Sequence, residues 1–193
     1  MHSTHDLQSR GLYHPAYEHD ACGTGFVASI DGIPSHAIVT AAVQCVCNVT
    51  HRGALSADAK TGDGAGILTQ IPQPLFAKVL TQLRAAPVAP GDLAVGVFFF
   101  PQEAQAHSRA QQLAEETIKA RGLRLVGWRE VPVDPSVLGE KALKTLPAIR
   151  HVLVARPSTI AAQDFERQLF LVRRRIEQAW ERERVTNCYI PSF

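Results

Sequence analysis

The chain has 193 residues, 46% of them hydrophobic and 20% charged, which is enough for one domain with a real core and excludes a low-complexity or disordered polypeptide. Its formal net charge of +2 is too small to indicate nucleic acid or an anionic membrane as a partner. The four cysteines, Cys22, Cys45, Cys47 and Cys188, are too few and too scattered for a disulfide framework, and a reducing, cytoplasmic setting is expected.

Residues 1–21 read as an irregular polar leader without an apolar signal core. Its histidines, His2, His5, His14 and His19, follow no metal-ligand spacing, so no metal is expected there. Cys22 heads an apolar run, Cys22-Gly23-Thr24-Gly25-Phe26-Val27-Ala28-Ser29-Ile30, read as a strand, with a turn at Asp31-Gly32-Ile33-Pro34. Ser35 is an N-cap candidate for a helix over about 37–48, with Ile38, Ala42, Val43, Val46 and Val49 on one face. Cys45 and Cys47 lie two apart on that helix, point to different sides, and are read as packing residues rather than a metal pair.

Two motifs follow, Thr50-His51-Arg52-Gly53-Ala54 and Thr61-Gly62-Asp63-Gly64-Ala65-Gly66-Ile67-Leu68. The second reads as a loop with special backbone angles entering a strand over about 65–71. A nucleotide-phosphate loop is rejected, because such loops run from strand to helix and this one runs from helix to strand. Arg52 either holds an anionic group or ties the loop to Asp58 or Asp63, the structural role being preferred.

Further along, helical periodicity marks about 74–85, 102–121 and 161–184, with Gly122 closing the second of these. Asp134-Pro135-Ser136 opens a short helix to about residue 145. Strands are expected at 93–100, 123–131, 149–155 and from 187 onward. The stripe Phe165, Leu169, Val172, Ile176, Trp180 is the buried face of the long helix. The basic run Arg173-Arg174-Arg175 sits among Glu166, Glu177 and Glu181 and reads as a solvated helix face.

The chain resembles the N-terminal class II glutamine amidotransferase domain of the glutamate synthase large subunit. The resemblance is carried by Gly11-Leu12-Tyr13 with Glu18-His19-Asp20-Ala21-Cys22-Gly23, by the 50–54 and 61–67 motifs, by Gly127-Trp128-Arg129-Glu130-Val131-Pro132 with Leu138-Gly139, and by Phe165-Glu166-Arg167-Gln168-Leu169 with Arg173-Arg174-Arg175-Ile176-Glu177. It implies an α+β, Ntn-hydrolase-type αββα sandwich over residues 22–193, a leader 1–21 that is removed, and Cys22 as the catalytic nucleophile. Freed at the N-terminus, Cys22 would carry a thiol and an α-amine on one carbon, nucleophile and base together.

L-glutamine is then the substrate, hydrolysed to glutamate and ammonia through a thioester, with the ammonia aminating 2-oxoglutarate. No cofactor is expected in this chain. The family's FMN, iron–sulfur cluster and NADPH or ferredoxin electron source would belong to the remaining synthase domains and a small reductase subunit. The family's carboxylate-gripping arginine and oxyanion-hole residues fall beyond Phe193, so an incomplete sandwich, weakly active or inactive alone, is expected. A catalytically inactive fragment and another Ntn amidohydrolase stand as alternatives.

Overall fold

The computed structural model describes residues 23–54, 56–58 and 60–193, which fall into two compact units divided between Leu68 and Thr69. The leader and Cys22 lie outside the described residues.

In the first unit the main element is helix α1, His36–Asn48. Ser35 caps it as expected, its hydroxyl accepting from the Ile38 amide at 3.4 Å. The half-buried face comprises Ile38, Ala42, Cys45, Val46 and Val49, a helical repeat of three and four. Val43, assigned to that face from sequence, is instead 49% exposed, and Cys45 takes its place. Of the two cysteines read as packing residues, Cys45 packs and Cys47 is exposed.

The strands expected at 22–30 and 65–71 do not form over their described residues. An extended apolar segment becomes a strand only when a neighbour accepts and donates along its backbone. Residues 23–30 instead run extended into a turn closed by the Gly32 amide on the Ser29 carbonyl, 3.2 Å. Nor do Gly62, Gly64 and Gly66 adopt the special backbone angles expected of them: the positive-φ glycines among the described residues are Gly32, Gly91 and Gly122.

The second unit holds an open, wholly antiparallel sheet. Its strands are β1 (Leu93–Phe100), β2 (Arg124–Glu130), β3 (Ala148–Ala155) and β4 (Tyr189–Ser192), in spatial order β2-β3-β1-β4. Helices α2 (Gln73–Gln82), α3 (Ala104–Ala120), the five-residue α4 (Glu140–Lys144) and α5 (Ala162–Arg182) complete it. This mixed α/β arrangement, an antiparallel sheet flanked by helices, agrees with the layering of an αββα Ntn-type sandwich.

Alternation along β1 and β3 decides what each sheet face meets. Ala94, Phe98 and Phe100, with Val152 and Val154, pack against Ala110, Leu113, Ala114 and Ile118 of α3 and against the α5 stripe. Leu93 and Leu153 point the other way and pack under Phe76, Val79 and Leu80 of α2. Phe98 is fully buried and edge-on to Trp128, Trp180 and Phe193, with ring centroids 5.2, 5.9 and 5.7 Å away. The Trp180 indole N–H donates to the Ala110 carbonyl at 2.9 Å, so α3 and α5 are joined by a buried hydrogen bond as well as by apolar contact.

Helix α3 starts where Glu103 accepts from the amides of Gln105 and Ala106 at 2.8 and 2.6 Å. It ends before Gly122, whose φ of +74° lets the chain reverse. The segment expected as one helix from 134 to 145 is two: a 3-10 turn Pro135–Val137, capped by Asp134, and α4, separated by extended residues Leu138 and Gly139. The last strand starts at Tyr189 rather than Asn187, because Asn187 has φ +60° and cannot join a ladder.

Candidate functional site

The proposed nucleophile, Cys22, lies outside the described residues, but the backbone next to it is defined. A Cβ placed on Gly23 would stand 3.0 Å from the Val49 Cβ and 3.1 Å from the Cβ and Cγ of Arg52. A Cβ on Gly25 would stand 2.5 Å from the Cys45 sulfur. Both glycines therefore bring the chain against the C-terminal half of α1 and the turn that follows, a closeness that a side chain would prevent.

That turn is built from the first of the two sequence motifs. Thr50–Arg52 form a 3-10 turn directly after the α1 cap at Val49. The Thr50 hydroxyl donates to the Cys47 carbonyl at 2.6 Å, and the His51 Nδ1–H donates to the Asn48 carbonyl at 3.1 Å. Gly53 closes the turn, its amide donating to the Thr50 carbonyl at 3.1 Å. These bonds satisfy carbonyls at the end of α1 that would otherwise lack partners.

The second motif is tied to the first through Asp63. Its carboxylate accepts from the Ala54 amide at 2.9 Å, and its own amide donates to the Ala54 carbonyl at 3.2 Å. Asp58 organises the approach, accepting from the amides of Lys60 and Thr61 and from the Thr61 hydroxyl at 3.0, 2.8 and 2.6 Å. The structural role preferred for Arg52, bridging to Asp58 or Asp63, is not what the described residues show. The Asp63 carboxylate bonds to backbone instead, and the exposed Arg52 makes no ion pair among the described residues. Sequence spacing could not distinguish an amide from a guanidinium as the carboxylate's partner. The arrangement leaves a cation, its aliphatic stem against Gly23, next to the residue that follows Cys22.

No group of three or more His, Cys, Asp or Glu side chains with metal-ligand proximity occurs among the described residues. None of their helices is long and apolar enough to cross a membrane.

The family described as glutamine amidotransferases class-II matches residues 22–193, and the chain belongs to that enzyme family. It is similar to the large chain of the NADPH glutamate synthase of Azospirillum brasilense, 39% identical over 188 residues, which is 97% of this chain and 12% of that protein. It is also similar to ferredoxin-dependent glutamate synthase 2 of Synechocystis, 41% identical over 157 residues (81% of this chain, 10% of the relative), and to the NADH glutamate synthase of Schizosaccharomyces pombe, 40% identical over 173 residues (86% and 8%). The chain thus spans about a tenth of the length of the curated relatives it matches.

Proposed function

We propose that this chain is the glutaminase part of a glutamate synthase and that Cys22 is its nucleophile. The observation that carries the reading is where the family match begins: at Cys22 itself, with 21 residues of the sequence before it. Removal of that leader would make Cys22 the first residue, with its thiol and α-amine on one carbon. An α-amine near pKa ~8 can accept the proton of a thiol near ~8.5 without the help of a second side chain.

The thiolate then attacks the carboxamide carbon of L-glutamine. The carbonyl π electrons move to oxygen, and the tetrahedral adduct collapses with loss of ammonia, which takes its proton from the Cys22 ammonium. A γ-glutamyl thioester remains. The neutral α-amine removes a proton from water, hydroxide adds to the thioester carbon, and glutamate leaves as the thiol is restored. The packing of Gly23 on Val49 and Arg52 supports the reading, because it gives the residue after the nucleophile a defined place.

The ammonia so released would serve reductive amination of 2-oxoglutarate in the rest of the longer protein. We assign the flavin, the iron–sulfur cluster and any reductase partner to that remainder, and the setting to the cytoplasm. The relatives' names span NADPH, NADH and ferredoxin, which supports assigning the segment shared with them to a step that does not involve the electron source.

The test uses the longer protein. Mass spectrometry should find a mature chain starting at Cys22, and a glutamine-analogue electrophile should leave one adduct on its first peptide. Cys22→Ser should abolish glutamine consumption while ammonia-dependent glutamate formation persists. Full activity with residues before Cys22 still attached, or normal glutamine consumption by Cys22→Ser, would sink the proposal.

A further inference from the structure

The basic run read from sequence as one solvated helix face is divided by the helix that carries it. Arg173 and Arg174 both bond to Glu177, Arg173 through Nε at 3.0 Å. Arg175 turns to the other side of α5, where with Gln178 and Arg182 it faces the last turn of α3. Thr117, Ala120 and Arg121 supply the opposite wall of a depression of about 350 Å³.

Three guanidinium groups line this depression and no carboxylate does. The acids nearby bond elsewhere: Glu177 with Arg173 and Arg174, Glu183 in a two-bond pair with Arg109 while also feeling the charge of Arg182, and Glu115 with Trp128 and Lys119. Two of the three heads are held by neutral acceptors. The Nη2 of Arg121 donates to the Gln168 side-chain oxygen at 2.7 Å, and the Nε of Arg182 donates to the Gln178 carbonyl at 3.3 Å. The Nε of Arg121 is buried and has no acceptor among the described residues. Arg175 likewise has no ion-pair partner among them.

Like charges gathered in a concavity repel one another, and Arg121, the one half-buried member beside the exposed Arg175 and Arg182, is partly desolvated without a counter-ion, which is costly. Natural surfaces relieve this with an intramolecular carboxylate, as Arg109, Arg150 and Arg156 do here with Glu183, Glu130 and Asp92. What sets this depression apart is that three guanidinium groups converge in one concavity with no carboxylate in its lining, and that the buried Nε of Arg121 has no acceptor among the described residues. The planar, pre-oriented forks suit a polyatomic oxyanion, which can accept two hydrogen bonds from each. The volume suits a small molecule.

We propose that the α3–α5 depression is a binding site for a small polyatomic oxyanion, a phosphate or carboxylate group, held by Arg121, Arg175 and Arg182. It lies wholly within the second unit, and the proposal does not depend on the role given to Cys22.

Isothermal titration of the full chain with inorganic phosphate, and separately with glutamate, at fixed ionic strength tests it. The two titrants distinguish a phosphate source from a carboxylate source. Saturable binding of one ion per chain is expected. Arg175→Ala with Arg182→Ala should weaken it by roughly tenfold or more, the loss of charge-assisted bonds. Arg174→Ala, already paired to Glu177, should leave it unchanged, and both variants should keep the unliganded unfolding midpoint within a few degrees. No saturable binding of either ion, or equal weakening by Arg174→Ala, would overturn the proposal. Tight binding of a hexaglutamate peptide that neither ion displaces would also overturn it and make an acidic protein segment the occupant.

Discussion

Gly96 of β1 lies directly beneath the ring of Phe193, so closely that a Cβ there would overlap the ring and come within 2.8 Å of the Val152 Cγ1. A glycine in the middle of an apolar strand is weakening in itself. Here it makes room for an aromatic ring that also meets Phe98 edge-on. Gly96→Ala should therefore cost about 1–3 kcal/mol, the usual range for overpacking a core. Denaturant unfolding measures it, and a loss below about 0.5 kcal/mol would show that Phe193 can move aside freely.

A second prediction concerns the hydrogen bond inside the helix layer. Trp180 is 3% exposed and its indole N–H meets the Ala110 carbonyl. Trp180→Phe keeps an aromatic ring but removes this second bond to a carbonyl that keeps its helical partner, together with part of the buried indole, a loss of about 1–3 kcal/mol. The same urea or guanidinium titration should show this with the m-value unchanged. A neutral substitution would mean that water reaches Ala110.

At the candidate site the expected effect is on rate rather than stability. Gly23→Ala in the longer protein would push the chain off Val49 and Arg52. A displacement of less than 1 Å beside a nucleophile can cost roughly ten- to a hundredfold in turnover. Glutamine hydrolysis should fall by that order while ammonia-dependent activity stays. Wild-type turnover by Gly23→Ala would mean that this contact does not position Cys22.

Acidification should destabilise the second unit before its carboxylates titrate. Burial holds the His151 imidazole below its ordinary value of 6.5, and the Arg129 guanidinium, whose Nη1 lies 3.3 Å from Nδ1, adds to that. Burial, followed by the charge of Arg150, does the same to His107, which stacks on Phe100. A base with a folded-state pKa below its unfolded one binds protons more readily when unfolded. Its contribution is complete above pH 6.5 and is lost as pH falls through the depressed folded values. Unfolding free energies between pH 7.5 and 5 should thus decline, and His107→Asn with His151→Asn should flatten the decline. An identical slope in that double variant would assign the effect to other groups.

The thiols should separate by reactivity. Burial pushes the Cys188 thiol up to about 11, whereas Cys47 stands exposed on α1. Thiolate is the alkylated species. At pH 8, iodoacetamide should modify Cys47 at least tenfold faster than Cys188, as peptide mass spectrometry would report. Faster labelling of Cys188 would mean that the β4 end of the sheet opens in solution.

What the amino-acid order determined by itself was local. The α5 stripe from Phe165 to Trp180, the eight-residue strand β1, the Ser35 cap and the Gly122 reversal all follow from side-chain period and backbone freedom within one segment. The family was equally legible, because its motifs are short strings in order. Partnership was decided only by tertiary structure. Asp63 takes an amide instead of Arg52, Arg175 parts company with its two neighbours, and Gly96 yields its space to Phe193, 97 positions away. The apolar runs after Cys22 and Gly64 have the composition of strands yet lack ladder partners among the described residues. A segment's period is set by its own covalent chain, whereas a strand, an ion pair or a close approach needs a second group brought near by the rest of the fold.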